Sequence, residues 1–356
     1  HPTETRPIIK RSLDCGTVLK RNICASPAAS FETFPSAIGF SPMKVRRVLL
    51  LSALFAFSLT CLAQRPGGGP PPMRKHTATT AASLSLVPAT EEPPTAGRHE
   101  FSRTESGLSV SSNGIPEHRV GMFPNRGNPH TIRPQGYEIV LPADPKPAAA
   151  ITKMERTPFG IALNGVFLDP GAAEYWQGEP ELGWQYEALG GAVPLGLDEN
   201  QAHVQPSGAY HYHGIPKSLA KRLGSTEGKH SPQVGWAADG FPVYVRIGLV
   251  DPKDPKSGVT TLKSSWRLKS GTRPDGAAGP GGTYDGAFVQ DYEFMEGSGD
   301  LDECNGRFCI TPEFPEGTYA YFLTDEWPVI PRAFRGTPVR LRMEGPPGGP
   351  GPDRGR

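Results

Sequence analysis

The sequence predicts a mainly β protein: one sandwich- or barrel-like domain with long Gly/Pro-rich loops and little helix. Three observations point there. Short apolar or alternating runs recur along the chain, the pattern of strands with a buried face. Asn-Gly and Asp-Gly pairs stand inside such runs, at Asn164-Gly165, Asp239-Gly240 and Asp285-Gly286, and favour tight turns. The 356 residues include 43 Gly and 40 Pro, both of which break helix interiors.

In chain order, the predicted strands are GYEIVLP from Gly136, FGIALNGVFLD from Phe159 and GAYHYHGIP from Gly208. VGWAADGFPVYVRIGLV from Val234, SSWRLKSG from Ser264 and YDGAFVQDYEFM from Tyr284 follow. GTYAYFLT from Gly317 and TPVRLRME from Thr337 complete the set. Only Pro170–Leu189 and Lys217–Leu223 have helical character. Two stretches look alike. Phe159–Val166 matches Val234–Phe241 at several positions, and each is followed by a Gly-x-Tyr-x-Tyr strand. Either the domain is internally duplicated, or aromatic hairpins with Asn-Gly turns simply resemble each other.

The domain is expected between residues 106 and 344. Met43 opens a segment with a basic start at Lys44, Arg46 and Arg47, an apolar stretch Val48–Leu59 and a small residue at Ala63. That is the pattern of a secretory signal peptide over 43–63, too short in its apolar part to span a membrane. Residues 1–42 are expected to be upstream, non-native sequence. Residues 64–105 and 345–356 are rich in Pro and Gly with few large apolar residues, and are expected to be a disordered linker and tail. The destination is periplasmic or extracellular, with no transmembrane segment in the mature protein. Net charge is +1, so the chain as a whole carries no electrostatic footprint for nucleic acid. The sequence does not fix an oligomeric state.

Nine histidines are present, and four of them, His203, His211, His213 and His230, lie close together in the chain. On a strand, residues i and i+2 share a face, so His211 and His213 can chelate one cation while Tyr210 and Tyr212 point to the core. His203 joins them if residues 200–205 pair back across the Pro206-Ser207-Gly208 turn. His230 or His118 would supply a fourth ligand or a supporting contact. Three imidazoles with an open position suit zinc, and three or four suit copper. The alternative makes the same histidines structural, hydrogen-bonded beside a tyrosine-rich core.

Other chemistry is sparser. Asp300 and Asp302 stand at alternate positions in an acidic turn, Asn305 follows them, and the three make a second candidate cation site, for calcium. Their alternative role is capping backbone N–H groups in a turn. Asp239 is a speculative general base. Of five cysteines, only Cys304 and Cys309 fall in the expected domain, and in an oxidising compartment they suggest one short disulfide loop. No nucleophile elbow, zincin helix or phosphate loop is present. Five tryptophans lie in the domain, so an exposed aromatic groove for a glycan or other small-molecule ligand is a further option.

The sequence resembles the bacterial YHYH-domain proteins. The likeness is carried by NGIPEHRVGMFPNRGNP from Asn113, FGIALNGVFLDPGAAEYW from Phe159, GWQYEALGG from Gly183 and NQAHVQPSGAYHYHGIP from Asn200. HSPQVGWAADGFPVY from His230, YDGAFVQDYEF from Tyr284 and the stretch from Gly299 to Gly336 extend it. The name comes from Tyr-His-Tyr-His, here Tyr210–His213. The resemblance implies an exported protein and brings no mechanism with it. Many members carry a cysteine in the stretch matching Arg332–Gly336, placed to pair with the equivalent of Cys304. Here that stretch holds Ala333, and the resemblance then implies a rewired Cys304–Cys309 bridge. The leading expectation is an exported metal-binding domain, enzymatic or not. The competing one is a non-catalytic extracytoplasmic structural or ligand-binding module.

Overall fold

The computed structural model describes residues 75–341. The upstream segment 1–42, the signal segment 43–63, the start of the linker and the tail 345–356 lie outside the described residues. In chain order the strands are β1 (His99–Thr104), β2 (Gly107–Ser112), β3 (Tyr137–Leu141), β4 (Pro147–Lys153), β5 (Gly160–Ala162) and β6 (Phe167–Leu168). They continue with β7 (Ala202–Val204), β8 (Tyr210–Tyr212), β9 (Gln233–Ala237), β10 (Pro242–Val245) and β11 (Ile247–Leu249). The last are β12 (Val259–Thr261), β13 (Trp266–Leu268), β14 (Tyr292–Phe294), β15 (Gly306–Cys309), β16 (Thr318–Leu323) and β17 (Ala333–Gly336). One α-helix, α1 (Lys217–Arg222), is described.

The mainly β expectation holds. Eight strands form one sheet in the order β15-β16-β10-β9-β5-β6-β8-β7. Its two ends do not meet, so no barrel closes. A three-stranded sheet β1-β2-β3 packs against it through a shared core. Leu108, Val110, Tyr137 and Leu141 meet Phe167, Tyr210, Tyr212 and Tyr321 there, all buried. Burying aromatic and branched side chains on this scale is the main stabilising term, at about 25 cal/mol per Å² of apolar surface.

The eight-stranded sheet is two copies of one four-stranded unit. β5 and β6 form a hairpin, β6 runs parallel to β8, and β8 pairs antiparallel with β7. β9 and β10 repeat the hairpin, β10 runs parallel to β16, and β16 pairs antiparallel with β15. β5 and β9 join the copies side by side. The turn bonds repeat: Gly165 N donates to Ala162 O and Gly240 N to Ala237 O. So do the tyrosine contacts. Asn164 Nδ2 donates to Tyr212 Oη at 2.8 Å, and in the second copy Tyr321 Oη donates to Asp239. The internal duplication is real.

Other expectations give way. Pro170–Leu189 holds only a single 3₁₀ turn, Pro180–Leu182, because Gly171, Gly178 and Gly183 interrupt it. The strand expected from Thr337 is absent to Leu341, and β17 stands just before it, paired with β4. The expected linker is ordered from residue 75 onward. Ala82 N donates to Gly190 O, Val87 N to Leu197 O and Glu91 N to Val120 O, and β1 ends the segment. Main-chain bonds tie it down, which is why its composition hides it. No described helix is long and apolar enough to cross a membrane.

Candidate metal centre

The antiparallel pairing of β7 and β8 places His203 directly opposite His211. His213 lies two residues beyond His211, so all three share a face. Tyr210 and Tyr212 turn into the main core. The segment before β7 makes the pairing possible. Asp198 Oδ1 accepts from Asn200 N and Ala202 N, and Gln201 adopts a left-handed φ of 55° to reverse the chain. Asp198 Oδ2 also accepts from Tyr210 Oη at 2.7 Å, clamping the turn to β8.

His211 Nε2 and His213 Nε2 are 3.0 Å apart, and His213 Nε2 and His203 Nε2 are also 3.0 Å apart. One ligand atom from each of the three rings lies within 4.8 Å of the others. His211 and His213 are 1% exposed, and His203 is half-buried. Two tautomers are set by carbonyl partners. His203 Nδ1 faces Leu195 O at 2.9 Å and His211 Nδ1 faces Ala209 O at 3.2 Å. A carbonyl only accepts, so both Nδ1 atoms must carry the proton, and both Nε2 atoms present lone pairs. His213 Nε2 can give its one proton to only one of them. Converging lone pairs of this kind are complemented by a cation. Ligand bonds of about 2.0–2.1 Å put tetrahedral donors roughly 3.3 Å apart, close to the spacing seen. The residues present therefore fit a metal.

Burial disfavours the charged imidazoles. It holds His203 down at about 3 and His211 at about 4, and His213 well below its ordinary value. Repulsion among the rings adds to the effect, His211 acting on His203 and both of these on His213, with a smaller contribution from the Arg332 guanidinium at His213. The rings thus stay neutral, the form that binds metal.

The remaining candidates stand apart. His118 spends both nitrogens, with Nδ1 on Arg119 O and Nε2 on Tyr212 Oη, each at 2.7 Å. It buttresses the back of β8 and is not among the converging ligand atoms. His230 packs edge-on against Tyr244 in the second copy, its Nδ1 on Ser231 O. Asp239 is buried and accepts from Tyr321 Oη, Gly336 N and Phe241 N, a structural role.

The acidic turn is a cap. Asp300 Oδ2 accepts from Lys263 N, and Asp302 Oδ1 from Cys304 N and Gly306 N, while Asn305 Nδ2 donates to Phe322 O. The three point at different partners and do not converge. Among the described residues the histidine triad is the one such group of three or more potential ligands. Cys304 and Cys309 are both free thiols. Cys304 belongs to the main core with Tyr319 and Tyr321, whereas Cys309 packs with Tyr244, Ala320 and Phe322. Alternation along β16 puts those two groups on opposite faces, so the disulfide is not formed. Trp176, Trp184 and Trp327 are buried, and Trp236 and Trp266 are half-buried.

The fold and the triad together define a duplicated β protein with a three-imidazole cluster in one copy. The YHYH protein family matches residues 138–336, and the chain belongs to that family. No curated protein and no solved structure matches it.

Proposed function

We propose that this YHYH-domain chain binds one transition-metal ion, copper or zinc, through Nε2 of His203, His211 and His213, in an extracytoplasmic compartment. The convergence of lone pairs held by the Leu195 and Ala209 carbonyls supports it most strongly. Buried polar groups cost stability unless partnered, and a cation partners all three rings at once. Three neutral ligands leave one position open. A metal there supplies Lewis acidity or an activated water. The protein's part is to hold three neutral rings rigidly, since their supports are strand backbone and one clamped turn. Export is supported by the signal pattern over 43–63.

Elemental analysis of the full chain, expressed with export and without a histidine tag, tests this. Near-stoichiometric copper or zinc is expected. His211→Ala should lose it while the circular dichroism spectrum stays the same. Full metal retention in His211→Ala would overturn the assignment.

A further inference from the structure

Of the three rings, His203 is the least fixed by the sheet. It stands on β7, the edge strand, whereas His211 lies on β8 between two neighbours. Its ring is oriented by Leu195 O at 2.9 Å, a carbonyl from outside the sheet. The segment that carries this carbonyl belongs to no helix or strand. Among the described residues, 192–197 make a single main-chain hydrogen bond, the one that Leu197 O accepts from Val87 N at 2.9 Å.

Val87 belongs to the N-terminal segment 76–91, which lies as a strap against this loop. Val87 O in turn accepts from Glu199 N at 3.0 Å, and Ala89 N donates to Glu199 Oε2 at 3.0 Å. The strap thus runs beside residues 197–199, where Asp198 clamps the turn into β7. Leu84 and Leu86 pack against the smaller core to which Val193, Leu195 and Leu197 belong. Upstream the strap is locked. The wholly buried Arg273 side chain donates through Nη1 to Thr79 O at 2.7 Å and pairs with Asp285 and Asp291. Asp285 Oδ2 accepts from Ala81 N at 3.0 Å, and Tyr186 Oη donates to Ala78 O at 2.7 Å.

We infer that residues 76–91 are a positioning element of the metal centre: by holding Leu197 they place the Leu195 carbonyl, and that carbonyl fixes the tautomer and the aim of His203. The inference rests on the metal reading above and adds to it a distant segment on which the third ligand depends. A ligating imidazole needs its other nitrogen held, and losing such a partner typically costs about 10–100-fold in metal affinity. A detached strap leaves residues 192–197 without their main-chain bond and turns buried apolar side chains toward water, so the loop and His203 loosen together. His211 Nδ1 faces Ala209 O in its own segment, and His213 N donates to Gln201 O, so these two rings stay.

The test titrates the full chain with Cu(II) by calorimetry and counts bound imidazoles by pulsed electron paramagnetic resonance. Val87→Pro removes the N–H given to Leu197 O. Ala89→Pro removes only the exposed bond to Glu199 Oε2, and carries the test if Val87→Pro does not fold. Tyr321→Phe, a lesion of the second copy, is the control for general destabilisation. Val87→Pro should weaken Cu(II) by about 10–100-fold, with one imidazole fewer than the wild type. Ala89→Pro should weaken it roughly threefold, the size of one exposed hydrogen bond. Tyr321→Phe should bind as the wild type does. Strap variants that keep the wild-type affinity and imidazole count, or an equal loss in Tyr321→Phe, would overturn the role of the strap alone. A wild-type chain that takes no copper would overturn the metal centre and this inference with it.

Discussion

The two halves of the large sheet share a scaffold and differ at its outer face. Tyr210 and Tyr319 stand at equivalent places on β8 and β16, and each donates to an aspartate, Asp198 or Asp302. Both aspartates cap the same turn, and the residues that reverse the chain, Gln201 and Asn305, share a φ of 55°. Gln201 O accepts from His213 N, and Asn305 O from Phe322 N. On this alignment His203 corresponds to Arg307, His211 to Ala320 and His213 to Phe322. Arg307 and Ala320 face each other in the β15–β16 register as His203 and His211 do in the first copy. The second copy fills the place of the triad with Tyr244, Leu262, Ala320 and Phe322, and lays the Arg307 guanidinium over the Phe322 ring. The scaffold therefore does not require the histidines. Three imidazoles stand in one copy where Arg307, Ala320 and Phe322 stand in the other, and this contrast supports the proposed metal centre.

The strongest way to break that comparison is to give the first copy the residues of the second. His203→Arg, His211→Ala and His213→Phe together should lower copper or zinc affinity by more than about 100-fold, the loss of several ligands. Calorimetric titration would read it, and the far-ultraviolet dichroism should persist. A variant that keeps the wild-type affinity would place the metal elsewhere.

The tyrosine contacts sharpen the comparison. Tyr321→Phe removes a donor from the buried Asp239 carboxylate and should cost about 2–3 kcal/mol. Tyr212→Phe removes a hydroxyl between Asn164 and His118 and should cost about 1–2 kcal/mol. Urea denaturation of both variants gives the order. Equal losses would show that the aspartate has no special place in the second copy.

Acid should act through the first copy. His203 and His211 titrate at about 3 and about 4 when folded, against 6.5 when unfolded. Above 6.5 neither state binds protons on these rings, and their neutrality has no pH cost. As pH falls from 6.5 toward 4 the unfolded chain takes up protons that the folded one refuses, so metal-free stability declines. The slope is on the order of 1 kcal/mol per pH unit for each imidazole. Thermal melts of the apoprotein should show it, and the triple variant should show a shallower fall. The smallest effect concerns the thiols. Cys304 and Cys309 lie on opposite faces, so a reductant should leave the melting temperature unchanged. A drop on reduction would mean that they are joined.

Much of the site was legible in the sequence. The alternation of Tyr210, His211, Tyr212 and His213 dictates which residues share a face, and the Ser207-Gly208 turn folds His203 back onto them. The duplication showed in the two Asn-Gly or Asp-Gly hairpins and the two Gly-x-Tyr-x-Tyr strands. Its third trace, Leu197-Asp198-Glu199 against Leu301-Asp302-Glu303, is as visible, but the second member looked like a calcium loop when read alone. Comparison of the two turns identifies both as caps. Long-range facts stayed hidden. His118 looks like a ligand until Tyr212 and Arg119 are seen to occupy both its nitrogens. Nothing local to Ala333–Gly336 announces its pairing with β4 far upstream.

The most direct test is the X-ray absorption spectrum of the copper- or zinc-loaded chain. Three imidazole nitrogens at about 2.0–2.1 Å, with one further light atom, are predicted. A shell of oxygens without imidazole scattering, or a sulfur contribution, would contradict a metal held by His203, His211 and His213.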